Sequence, residues 1–462
     1  MEHDTRIKLY VLAFAFFVGT LALFSPQVGA QKAAQETSFS PVIEEPFDVV
    51  RARDKAAKSR VMAAHQKLLD ERYDLRRSVD ESVRMTRGKP IPVGPTAKLK
   101  GVTWEQLGRM TPEEIRDKGV FPYLPLPHVN HPVGGMVFTQ AQIKLLPRLE
   151  RFDMDFDLPD QFLPEFPPAI FLITRPDLGD VSKGQLVTLE NFYDLFNGIL
   201  NPKQLDGLRL LVTQFPQQQF NATADRKTDR ADGMKGVACL DCHVNGHTSG
   251  AMHLVGDIRP QPNRRRIETP SLRGVNIQRL FGSQRALKTV EDFTEFEQRA
   301  AYFDGDPVTA AKKGVNVLDR GLQVHAMSEF QELLDFPPAP KLNLFGRLDR
   351  KKATPSEISG EEIFFGKANC AGCHTPPFYT DGLMHDLKVE RFFKPRMEGG
   401  MMITAQGPIK TFPLRGIKES PPYLHDGRLL TLEDVVEFFN LIQELNLTAQ
   451  EKSDLVAFLR TL

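Results

Sequence analysis

The sequence predicts a mainly α protein whose C-terminal half is one small helical unit built twice, preceded by an irregular, partly helical N-terminal extension. Three observations carry this expectation. The stretch SLRGVNIQRLFGSQRALKTVEDFTEF from Ser271 aligns without a gap with PLRGIKESPPYLHDGRLLTLEDVVEF from Pro413. Ahead of each copy stands the same short motif, CLDCH at 239–243 and CAGCH at 370–374. Within each copy a threonine, Thr289 or Thr431, opens a helix. In the last copy Leu432, Val435, Val436 and Phe439 form an apolar face at i, i+3, i+4 and i+7.

The beginning of the chain has another character. MEHDTRIK is short and charged, Leu9 to Phe24 is almost purely apolar, and SPQVGA supplies small residues at Val28 and Ala30. This is the three-part pattern of a secretory signal, with cleavage expected before Gln31. Residues 1–30 are therefore read as a signal peptide, and the body of the protein as exported to the periplasm. The rival reading, an uncleaved anchor, meets an apolar run shorter than the roughly 20 residues that span a bilayer.

Residues 31–150 read as a tether and N-terminal extension. A helix is expected from about Asp54 to Val83, on spaced Val61, Met62, Leu68, Leu69 and Leu75. A proline-punctuated loop follows at 88–100. Thr111-Pro112-Glu113-Glu114 is a helix start: threonine cap, proline at the first position, glutamate closing the box. Dense prolines from Phe121 to Pro176 predict extended segments and turns. Residues 151–230 lack a cysteine motif but hold a shorter third copy, GQLVTLENFYDLFN from Gly184, where Thr188 is likewise expected to open a helix, with Leu189, Phe192, Tyr193 and Phe196 on one face. The two full units are placed at 231–345 and 346–462. The second closes with a helix opened by Thr448 and Glu451, whose Leu455, Phe458, Leu459 and Leu462 share a face.

All four cysteines, Cys239, Cys242, Cys370 and Cys373, lie in the two motifs. Two local disulfides or a four-cysteine zinc site are conceivable in an exported chain, yet neither explains the histidine that follows each pair. C-x-x-C-H is the attachment site of c-type haem. Two thioethers reach the two vinyl groups at one porphyrin edge, and the adjacent histidine comes under the iron. The motifs thus predict two covalently bound c-type haems with His243 and His374 as proximal iron ligands. The repeat then becomes two cytochrome c-like helical haem domains. Charge adds an exclusion: 59 basic and 59 acidic residues cancel, so nothing points to nucleic acid.

The ordered series CxxCH, Pro-Leu-Arg-Gly, PPYLHDG, TLEDVVEFFN and EKSDLVAFL resembles the C-terminal half of bacterial dihaem cytochrome c peroxidases, whose superfamily includes MauG. The resemblance covers roughly Val237 to Leu462. It implies a peroxide-reactive first haem on His243 and an electron-relay second haem on His374. It implies hydrogen peroxide and a small redox protein as partners. It also implies calcium between the haem domains, with Glu268 and the backbone near Ser420 and Pro422 at the corresponding positions.

Three departures from the family matter. Phe439 stands where the relay haem usually takes a methionine or tyrosine, and its periodicity marks it as a core residue. Met397, Met401 and Met402 lie in the inter-motif loop and are weighed as other sulfur ligands against mere packing. Gly282-Ser283-Gln284 replaces the Trp-Asp-Gly stretch that places tryptophan between the haems. The distal acid does not match cleanly. Glu297 is the catalytic candidate for moving a proton between peroxide oxygens, because it occupies the core-facing stripe where sister helices carry Phe196 and Phe439. The alternative is a helix end facing solvent or paired with Arg285 or Arg299; Glu291, Asp304 and Asp306 are reserves. His247 and His253 are weighed as distal ligands, against plain hydrogen bonds. His425 is expected to organise the loop between domains, and Arg264, Arg265 and Arg266 to pair with propionates or form a solvated turn. The expected function is peroxide-dependent oxidation. A dihaem electron carrier and a MauG-like oxidation of a protein or organic substrate are the alternatives.

Overall fold

The computed structural model describes residues 47–122, 136–150, 155–156, 158–214, 237–255, 265–299, 318–394, 396–398, 401–403 and 407–462. The signal segment, Arg264, Asp304 and Asp306 lie outside the described residues. The architecture is mainly helical with short strands.

The N-terminal extension opens with α1 (Phe47–Arg72), then β1 (Val79–Arg84) and β2 (Pro90–Pro92), which pair antiparallel with Asp80 opposite Ile91. The expected helix therefore begins earlier and stops sooner. Asp74 takes the backbone N–H of Arg76 (3.3 Å), a local turn that competes with helix and lets 79–84 join a ribbon instead. Next come α2 (Trp104–Leu107) and α3 (Pro112–Lys118), the latter closed by the anticipated Thr111–Glu114 box. Beyond it, β3 (Met136–Thr139), α4 (Gln140–Leu145) and β4 (Asp155–Phe156) fall in the proline-rich region; the helix, capped by Thr139, was not expected there.

The third repeat copy is shorter than its sequence suggests. Its helix, α5, spans only Phe192–Phe196; Phe196 is buried, but Leu189 and Tyr193 are exposed. Asn191 accepts the Thr188 N–H (2.8 Å) and donates to the Leu186 carbonyl (2.9 Å), holding the threonine in a turn rather than a cap.

The two haem-motif units share one architectural joint. In the first, α6 (Pro202–Val212) precedes α7 (Cys239–Cys242), α8 (Val290–Arg299) and α9 (His325–Gln331). In the second, α10 (Pro355–Phe365) precedes CAGCH, and α11 (Leu432–Ile442) and α12 (Ala449–Leu459) follow it. A Cβ added to Gly207 of α6 would stand 1.9 Å from the Ala326 carbonyl oxygen of α9; one added to Gly360 of α10 would stand 1.9 Å from that of Asp454 in α12. Each unit thus crosses its leading helix over its closing helix at a glycine. The first unit draws that leading helix from the 151–230 segment. Gly360→Ala is expected to destabilise the protein by about 1–3 kcal/mol through overpacking, read as a lower denaturant midpoint; an unchanged midpoint would show that the helices separate freely.

Thr289–Asp292 and Thr431–Asp434 cap α8 and α11 as the repeat predicts. After the first motif, β5 (Met252–Val255) and β6 (Arg265–Glu268) pair antiparallel and extend the sheet in the order β4-β3-β5-β6. In the second unit β7 (Met384–His385) precedes the hairpin of β8 (Arg396–Glu398) and β9 (Met401–Ile403), and β10 (Ile409–Lys410) pairs back with β7.

The extension completes the second unit. Leu99, Trp104, Leu107, Ile115 and Phe121 join one core with Phe364, Tyr379, Val436 and Phe458. Thr96 ties this strap down: its N–H and hydroxyl both donate to Asp434 (2.8 and 2.7 Å), the residue that also caps α11.

Candidate functional site

Both CxxCH motifs open onto one cavity of about 800 Å³. α7 carries Cys239 and Cys242 through a single turn. Asp241 locks that turn, accepting the Ala238 N–H (2.7 Å) and a two-pronged bond from Arg148 (2.7 and 2.6 Å). His243 then places Nδ1 2.8 Å from the Pro270 carbonyl, and His374 places Nδ1 2.9 Å from the Tyr379 carbonyl. A carbonyl only accepts, so each Nδ1 carries the proton and each Nε2 keeps its lone pair, the form that ligates a metal. Burial reinforces this, lowering His243 to about 4 and His374 below its ordinary range.

The four cysteines are not joined in disulfides. Burial pushes Cys370 up to about 12 and raises Cys373, the opposite of an activated thiolate. Nor do the four sulfurs converge as a zinc site requires: among the described residues, Cys373 groups only with Asp381 and His385. Paired thiols, an oriented imidazole beside each pair and one shared cavity fit two covalently held c-type haems.

The walls of the two ends differ. Around His243, α8 contributes Val290, Phe293, Thr294 and Glu297. Glu297 is half-buried and lines the cavity. Gln331 of α9, which the sequence did not single out, also lines it and donates to the Thr294 hydroxyl (2.9 Å). Glu291 is turned elsewhere, 3.1 Å from His325 Nδ1. Around His374, α11 and α12 contribute apolar side chains, Val435, Val436, Phe439, Leu455 and Leu459, and His385, 2.7 Å from Asp381, also lines the cavity. Phe439 packs against the second core while lining the cavity. The side chains of Met397, Met401, Met402, His253, Arg265, Arg266 and Arg299 lie outside the described residues.

Several groups join the two units. His247 has both ring nitrogens engaged, Nδ1 with the Ser271 hydroxyl (2.8 Å) and Nε2 with the Glu419 carbonyl (2.9 Å), which removes it as a distal ligand. The His425 carbonyl accepts the Glu268 N–H (2.8 Å), so this loop does bridge the units. Glu268 itself is buried beside Thr248 (2.9 Å), and burial holds its carboxyl well above the usual range. Ser420 and Pro422 line the same cavity. Arg273 and Glu419 form a buried ion pair (2.9 Å). Lys410, unanticipated from sequence, is buried at the junction and lowered to about 8 by desolvation.

No family model matches the chain. The cytochrome-c peroxidase IdrP2 of Denitromonas iodatirespirans is 28% identical over 180 residues, 31% of this chain and 49% of that protein. The methylamine utilization protein MauG of Methylorubrum extorquens is 29% identical over 151 residues, 30% of this chain and 42% of the relative. The cytochrome c551 peroxidase of Nitrosomonas europaea is 30% identical over 144 residues, 30% and 42% of the two chains. The chain spans less than half the length of these relatives. A solved MauG-like protein associated with microbial copper homeostasis superposes with a TM-score of 0.40 at 21% identity, covering 67% of this chain and 94% of that one. These partial sequence matches are to bacterial dihaem cytochrome c peroxidases and MauG, which the chain resembles over about a third of its length.

Proposed function

We propose that the protein is an exported dihaem c-type oxidoreductase that uses hydrogen peroxide, with a reactive haem on CLDCH and an electron-relay haem on CAGCH. The observation that carries this reading is the matched orientation of His243 and His374 beside their cysteine pairs on a single cavity. A bound haem supplies an iron that accepts oxygen ligands and exchanges electrons. Cys239, Cys242, Cys370 and Cys373 anchor the two groups. Pro270 and Tyr379 keep each histidine in the ligating tautomer. The Glu297 carboxylate takes a proton from one peroxide oxygen at Oε and returns it to the other, lowering the barrier to O–O cleavage. Gln331 steadies the same wall through Thr294. Beside His374 the helices α11 and α12 present apolar side chains rather than a carboxylate, which suits a relay rather than a peroxide site.

Purification from a host with haem-c maturation tests the proposal. The expected product holds two covalent haems per chain, at least one of them high-spin, and its spectrum changes with peroxide. Two low-spin haems that ignore peroxide even after partial reduction would leave the electron carrier. Absence of covalent haem would end the reading.

A further inference from the structure

Lys410 is a buried cation with no carboxylate partner among the described residues. It sits in β10 at the seam of the two units, where its backbone N–H donates to the Ser283 carbonyl (3.0 Å). Its ammonium donates to Gln278 Oε1 (2.8 Å) and the Leu280 carbonyl (2.7 Å), and it is 3% exposed. The Phe281 and Phe412 rings flank it at 5.5 and 5.3 Å. The residue lines the cavity. An ammonium has three donors, and both partners here are neutral oxygens. Arg285 adds a second positive charge close by, and its Nε is buried without a hydrogen-bond partner. Among the described residues no acid forms an ion pair with either cation. Buried charge persists where it is paired, so this seam is built for an anion that the described chain does not supply.

We propose that the Lys410 ammonium pairs with a haem propionate carboxylate at the junction of the two motif chambers and raises the reduction potential of that haem. The inference rests on the two-haem reading above. Ferric haem carries one more positive charge than ferrous haem, so a fixed cation nearby disfavours the ferric form. Ser283, which accepts from the Lys410 backbone, stands where the family resemblance leads one to expect a bridging tryptophan. The Lys410 backbone thus meets this position while its ammonium is held by Gln278 and Leu280.

The test compares wild-type holoprotein with Lys410→Met and Lys410→Arg by spectroelectrochemical titration, with covalent haem counted in each. Two haems are expected in all three. One midpoint potential should fall in Lys410→Met and remain near the wild-type value in Lys410→Arg. Unchanged potentials in a fully loaded Lys410→Met protein would overturn the proposal. So would an equal fall in both variants, which marks a packing role. Wild-type potentials that respond to added acetate, with Lys410→Met unresponsive, would assign the seam to a solution carboxylate and also overturn it. Should Lys410→Met fail to load haem, resonance Raman of the wild type decides. A propionate bending mode that shifts in deuterated buffer supports the pairing, and an unshifted mode overturns it. Wild type without covalent haem would instead sink the two-haem reading.

Discussion

Replacing Glu297 with glutamine is expected to slow the reaction with hydrogen peroxide by about 10²–10⁴-fold, the range a positioned acid–base group contributes, while leaving covalent haem unchanged. Glutamine keeps the shape of the side chain but cannot shuttle a proton. The effect should therefore fall on the rate of the peroxide-induced absorbance change in stopped flow, and spare the resting spectrum. The structure sharpens the choice of residue. Glu297 lines the cavity with Val290, Phe293 and Thr294, whereas Glu291 is turned to His325. An unchanged rate would remove Glu297 from the chemistry.

The largest effect on stability is expected from Arg273→Met, about 3–5 kcal/mol, the cost of stranding a buried charge. Arg273 and Glu419 have side chains only 4% and 5% exposed. The guanidinium also donates to the Ala169 carbonyl (2.7 Å) and lies 5.8 Å from the Phe171 ring. Glu419 accepts the Thr86 N–H (2.9 Å) and its hydroxyl, so three separate stretches of chain meet at one carboxylate. Guanidinium unfolding would measure the loss. The double variant Arg273→Met/Glu419→Leu should recover part of it, because removing both charges avoids the stranded one. A single-variant loss below about 1 kcal/mol would mean that the Thr86 donors suffice.

The parts legible in the sequence were those whose rules are local. CxxCH is fixed by thioether chemistry over five residues. The boxes at Thr111, Thr431 and Thr448 are fixed by the reach of one side chain to the third backbone N–H beyond it. The same kind of local rule misled at Thr188, where the competing Asn191 bonds were invisible to periodicity. Residues defined by distant partners were not legible. The carbonyls of Pro270 and Tyr379 orient the histidines but leave no side-chain signature. Lys410 reads as an ordinary lysine until the fold brings Gln278 and Leu280 around it. Gly207 and Gly360 carry no local signature, and are joints only because of the helices that cross them.

The strap that pins Thr96 to Asp434 also dictates a sequence of events in folding. The two residues are 338 positions apart, so one of the first described segments to leave the ribosome closes against one of the last. The chain must lose the entropy of that long loop before those bonds form. The local turns holding Cys370 and Cys373 need no such return journey. The second thiol pair is thus held by local turns, whereas Trp104 and Leu107 reach the core beside Cys370 only through a long-range closure of the chain.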